Sequence, residues 1–91
     1  MNKNEIERLS EIFKALGNKW RLQMVLGIYE DECNVSRIVE KLGLPQSTVS
    51  QHLSVLRSRG IITGRREGKR VCYKVTDETV ICMIKALKKE S

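Results

Sequence analysis

The stretch LPQSTVSQHLSVLRSRG, residues 44–60, decides the fold. Wound at about 100° per residue, it puts Val49, Leu53 and Leu56 on one side of a helix. Ser47, Ser50, Gln51, Ser54 and Ser58 fall on the opposite side, flanked by Thr48 and Arg57. Its wet face carries hydroxyls and amides where a surface helix usually carries Glu and Lys. Such groups both donate and accept hydrogen bonds, as the base edges of a DNA major groove require. Acids would repel phosphates, and lysines would hold every sequence alike. Gln46, Ser47, Thr48, Ser50, Gln51 and His52 lie toward the N-terminal half, the end of a recognition helix that meets bases. Some of the hydroxyls are expected on phosphate oxygens instead, and His52 in a structural or backbone-contacting role.

Working outward, a shorter helix precedes this one, with Val35, Ile38, Val39 and Leu42 as its apolar side and Gly43 as its stop. The Gly-Leu-Pro turn makes the two a helix-turn-helix over about 35–59. After Gly60 the period changes to alternation, giving a hairpin wing over about 61–76 with Glu67-Gly68 at its tip. Its return strand places Val71, Tyr73 and Val75 on one face, and Arg70, Cys72 and Lys74 on the other. A first helix, about 4–16, is read as capped by Asn4 with Glu7 in a capping box. Asn18 is placed to cap a second helix holding Trp20, Met24, Val25 and Ile28. Thr76 or Asp77 caps a last helix, about 78–89, striped with Val80, Met83, Ile84 and Leu87. The expected fold is mainly α with a small β-hairpin, five helices plus a two-stranded wing, in one domain over 1–91. The first and last helices carry more apolar surface than one small core needs, so a homodimer through them is expected.

Charge supports a polyanionic partner. The formal net charge is +6 over 91 residues. Between Arg57 and Lys74 lie Arg57, Arg59, Arg65, Arg66, Lys69, Arg70 and Lys74 against the single acid Glu67. That segment alone equals the net charge of the chain. Arg65, Arg66, Lys69 and Arg70, near the wing tip, would grip the backbone or a minor groove. Arg57 and Arg59, at the end of the recognition helix, would touch phosphates. Double-stranded DNA is therefore the expected partner. No stretch approaches the ~18 apolar residues of a membrane span. The N-terminus leads into a charged amphipathic segment and not a signal core, so a cytoplasmic protein is expected. One His, no clustered carboxylates and no Gly-rich phosphate loop argue against an enzyme. A winged helix serving only protein contacts would carry a neutral or acidic wing, unlike this one.

Three pieces together resemble the ArsR-type (ArsR/SmtB) winged helix-turn-helix repressors of bacteria and archaea: EIFKALGNKWRLQMVLGIY (11–29), LPQSTVSQHLSVLRSRGII (44–62) and RREGKRVCYKV (65–75). The resemblance covers nearly the whole chain. It implies a homodimer on a palindromic operator and an inducer, of identity unknown, that alters DNA affinity.

The family's commonest sensor sites are not written here. In arsenic and cadmium/lead sensors a Cys-x-Cys pair opens the third helix; the matching positions read Asn34 and Ser36, with Cys33 one residue off. Zinc and nickel sensors use Asp, His and Glu of the last helix; Asp77 matches the first, but that helix has no His. No cofactor is expected, with a metal or metalloid on Cys ligands as the alternative. Three widely spaced cysteines argue against a disulfide framework. The candidate thiol sensors are Cys72, Cys82 and Cys33. Acidic neighbours disfavour a thiolate at Cys33, whereas Cys72 beside Arg70 and Lys74, and Cys82 beside Lys85 and Lys89, have cationic ones. A Cys72–Cys82 pair is the candidate for a dithiol or persulfide switch, or for thiolates that take arsenite or a soft metal; the alternative is that all three cysteines are only small apolar residues.

Overall fold

The computed structural model describes residues 1–33 and 35–89. Five helices and one hairpin follow in the order α1 (Lys3–Leu16), α2 (Lys19–Glu30), α3 (Val35–Leu42), α4 (Gln46–Ser58), β1 (Ile62–Glu67), β2 (Arg70–Val75) and α5 (Glu78–Lys88). Polar side chains start three of the helices by taking up backbone N–H groups that have no partner within the helix. Asn18 Oδ1 accepts from Trp20 N and Arg21 N at 2.9 and 3.2 Å, and Asp77 Oδ1 accepts from Val80 N at 3.0 Å. The cap of α1 is Asn2, not the expected Asn4: its Oδ1 accepts from Glu5 N at 2.8 Å. The helix thus begins earlier and takes Asn4 into its first turn.

The core is built where the apolar stripes meet. Ile12 and Ala15 of α1, Met24, Val25 and Ile28 of α2, and Val49, Leu53 and Leu56 of α4 pack with Val80 and Ile84 of α5. Ile61, Ile62, Tyr73 and Val75 close it from the hairpin. Helix α3 has no fully buried residue; Val35, Ile38, Val39 and Leu42 lie half-buried against the core. It packs against α2 and β2, while α2 and α4 meet directly. The turn from α3 to α4 needs Gly43, whose φ of +65° lies in the left-handed region that side chains resist. Pro45 then supplies a preset φ of −59° at the start of α4.

The strands pair antiparallel from Ile62↔Val75 to Glu67↔Arg70. Gly68, at φ +64°, and Lys69 form the two-residue tip. The expected division of β2 into a buried and a solvent face holds only in part. Val71 is 40% exposed, while Cys72 is fully buried. The reason is local. Tyr73 N donates to Glu32 O at 2.8 Å, so the α2–α3 loop lies along β2 and covers Cys72. Val71 sits nearer the tip and lines an open cleft toward α3 and α4. Among the described residues no helix is long and apolar enough to cross a membrane.

Candidate nucleic-acid interface

Burial of Val49, Leu53 and Leu56 turns the opposite face of α4 outward. Gln46, Ser47, Ser50, Gln51 and Ser54 are exposed, and Thr48 is half-buried. The hydroxyl and amide ridge is therefore available to a ligand. Only its first residue, Gln46, borders the cleft between α4 and the wing. Gln46 and Val49 of α4 line the same open cleft, of about 430 Å³, as Arg70, Val71 and Tyr73 of β2.

His52 departs from the ridge. It is half-buried, and its Nδ1 lies 3.4 Å from Arg21 Nη1 of α2. Arg21 is itself fixed by donating from Nε to Ala15 O at 2.7 Å. Partial burial, then the Arg21 charge, push the His52 pKa below its ordinary value. His52 thus lies between α4 and α2, beside the ridge and not on it.

The cations divide in the same way. Arg57, Arg66, Lys69 and Arg70 are exposed and form no ion pair among the described residues. Arg59 and Arg65, expected on phosphates, are instead engaged with acids. Arg59 Nη2 lies 3.2 Å from Glu11 Oε2 on α1. Arg65 Nε donates to Glu67 Oε1 at 2.8 Å, and its Nη2 lies 3.5 Å from Glu32 Oε1. That contact with Glu67 raises the Arg65 pKa and lowers that of Glu67. The free charge of the wing thus sits toward its tip and on its return strand.

The cysteines are paired otherwise than expected. Cys33 and Cys72 form a disulfide, with Cα atoms 4.2 Å apart, and Cys82 is a free, exposed thiol on α5. The Cys72 face of the wing is turned to the α2–α3 loop, while Cys82 looks to solvent from another element. The two positions that match the family's third-helix pair offer no sulfur: Ser36 is exposed on α3, and Asn34 lies outside the described residues. Asp77 is not a free ligand either. It is buried, caps α5, and pairs with Arg8 of α1.

A second surface is apolar. Ile6, Phe13, Leu22 and Leu87 are exposed, Phe13 at 54% and Leu87 at 70%. Phe13, Leu16, Leu22, Val80, Met83 and Leu87 line a groove of about 250 Å³ between α1, α2 and α5.

The family model described as "Bacterial regulatory protein, arsR family" matches residues 18–63. The chain is 36% identical over 72 residues to the HTH-type transcriptional repressor SmtB of Mycobacterium tuberculosis. That match covers 79% of the chain and 53% of SmtB, so the chain spans about half the length of that relative. It is 35% identical over 91 residues to the transcriptional activator HlyU of Vibrio cholerae, covering 96% of the chain and 84% of HlyU. A solved structure of that HlyU superposes with a TM-score of 0.85 at 34% identity, covering 98% of this chain and 96% of that one. The homodimeric winged helix-turn-helix DNA-binding domain of Mb0332 from Mycobacterium bovis superposes with a TM-score of 0.80 at 27% identity, over 98% of this chain and 85% of that one. With a winged helix-turn-helix built from the residues upward and these relatives beside it, the chain belongs to the ArsR family of bacterial regulatory proteins.

Proposed function

We propose that the chain is a sequence-specific, DNA-binding transcriptional repressor that acts in the cytoplasm as a homodimer on a palindromic operator. The observation that carries this reading is the neutral, exposed ridge of α4 beside a wing whose cations are exposed. Ser47, Ser50 and Gln51 read base edges, with Gln46 and Thr48 at the groove margin. Arg57, Arg66, Lys69 and Arg70 bind phosphates and supply affinity. Arg59 and Arg65 join them only if they leave Glu11 and Glu67.

The apolar face on α1 and α5 supports the homodimer. A patch of this kind, rimmed by charge, marks a protein contact. A two-fold axis through it would present two α4 helices to major grooves roughly 34 Å apart. The name of the Mb0332 domain, homodimeric and DNA-binding, is in keeping with this arrangement. Activation from the same contacts is the second reading, favoured by HlyU, a relative named as an activator. The position of the operator relative to the promoter separates the two.

The test uses the inverted repeat expected upstream of the protein's own coding region. Binding of labelled duplexes is followed by anisotropy over a range of salt. Gln51→Ala should cost about 1–3 kcal/mol on the repeat and almost nothing on unrelated duplex. Arg66→Ala should weaken both duplexes alike and reduce the salt slope by about one. Equal loss of specific and non-specific binding by both variants would refute this division of labour.

A further inference from the structure

We propose that Cys33 and Cys72 form a thiol–disulfide exchange site, through which a low-molecular-weight disulfide sets how firmly the chain holds DNA. The DNA part of this inference rests on the duplex-binding reading above. The two cysteines are 39 residues apart, and what lies between them is decisive. Every residue assigned to DNA, from Gln46 to Arg70, falls inside the loop the bond closes. The bond joins the turn before α3 to the return strand of the wing. It therefore fixes the wing against the helix-turn-helix.

Access to the two sulfurs is unequal. Cys72 is fully buried, whereas Cys33 is half-buried and lines the open cleft of about 430 Å³. A small disulfide can reach Cys33 first. The Cys33 thiolate, its proton lost to water, attacks one sulfur of the disulfide and expels the other half as a thiolate. The Cys72 thiolate then attacks Cys33 Sγ and expels the second half. Two protein thiols and one small disulfide become one protein disulfide and two small thiols; excess small thiol drives the reverse. In a reducing compartment a disulfide is usually of this transient kind.

The neighbours fit a dithiol better than a cation. Glu67 offers a carboxylate oxygen within 4.8 Å of both sulfurs. Arg65 already holds that carboxylate at 2.8 Å and also reaches Glu32. The guanidinium opposes a metal ion there, and it offsets the two acids that would otherwise suppress a thiolate at Cys33. With the bond open, the wing keeps the Tyr73–Glu32 backbone hydrogen bond and the Arg65–Glu32 bridge. These contacts are non-covalent and looser. The oxidised form is thus preorganised for DNA, and the reduced form is not.

The experiment equilibrates the full chain in buffers of varied ratio of reduced to oxidised glutathione. Free thiols are trapped by alkylation and located by mass spectrometry, and operator binding is measured in parallel. Cys33 and Cys72 should convert together, with Cys82 remaining a free thiol, and reduction should weaken binding by about 5-fold or more. Cys33→Ser should bind like the reduced protein in every buffer, while Cys82→Ser should respond as wild type does. A bond that never opens in the folded chain, or opens without changing affinity, overturns the proposal and leaves a structural staple. If neither form binds any duplex, the regulator reading fails and the coupling with it, while the trapped thiols still decide whether the pair exchanges.

Discussion

Phe13→Glu should convert the proposed dimer into a folded monomer and lower operator affinity by about 10²–10⁴-fold. Phe13 is 54% exposed on α1 and borders the apolar groove shared with α5. It contributes little to the core of its own chain, so a carboxylate there is tolerated in the monomer. Across a two-fold interface the same change places two charges in an apolar contact. The protein then loses the advantage of holding two half-sites at once. Single half-site contacts remain, with their salt dependence. Light scattering on a sizing column and anisotropy on the operator check the two halves of the expectation. A dimer that survives, or a monomer that still binds at full strength, would place the interface elsewhere.

Leu56→Ala should destabilise the domain by about 2–5 kcal/mol, a large share of the stability expected for a chain of this size. Leu56 is fully buried and belongs to the cluster that unites α1, α2, α4 and the hairpin. Removing its branch leaves a cavity inside that closed cluster, away from solvent. The thermal midpoint should fall by ~10 °C or more. Leu53→Ala should cost less within the same range, because Leu53 lines the open cleft and its neighbours can relax toward solvent. Both should be measured at one fixed protein concentration, since a dimer gains stability by mass action. Equal and small losses would mean that α4 does not anchor the core.

Much of this was legible because it depends on local pattern. The period of Val49, Leu53 and Leu56 determines which side of α4 is wet, whatever the rest of the chain does. Asn18 and the Thr76-Asp77 pair announced helix starts, and Asp77 is the one used. The first helix start was ambiguous for a definable reason. Asn2 and Glu5 repeat the spacing of Asn4 and Glu7, so the sequence contains two equivalent capping boxes. The earlier one adds helical residues without losing a cap.

What could not be read was set by residues distant in sequence. Charge counting put Arg59 and Arg65 in the basic segment but could not see Glu11 and Glu32 brought beside them. His52 lies within the recognition stretch, yet its partner, Arg21, comes from α2. Alternation assigned Cys72 to an outer face because it says nothing of a loop laid across that face. The Tyr73–Glu32 backbone hydrogen bond decides the matter and brings Cys33 with it. Its one faint trace in sequence was Cys33 itself, placed directly after the acidic run that ends α2.

The central claim is that two α4 ridges enter successive major grooves while the wings hold the flanking backbone. Selection of bound duplexes from a random pool, followed by hydroxyl-radical footprinting of the winners, tests it most directly. The account predicts an inverted repeat with half-site centres about 10 base pairs apart, and backbone protection extending outward from each half-site. Recovery of asymmetric or unrelated sequences, or protection confined to one short segment, would contradict it.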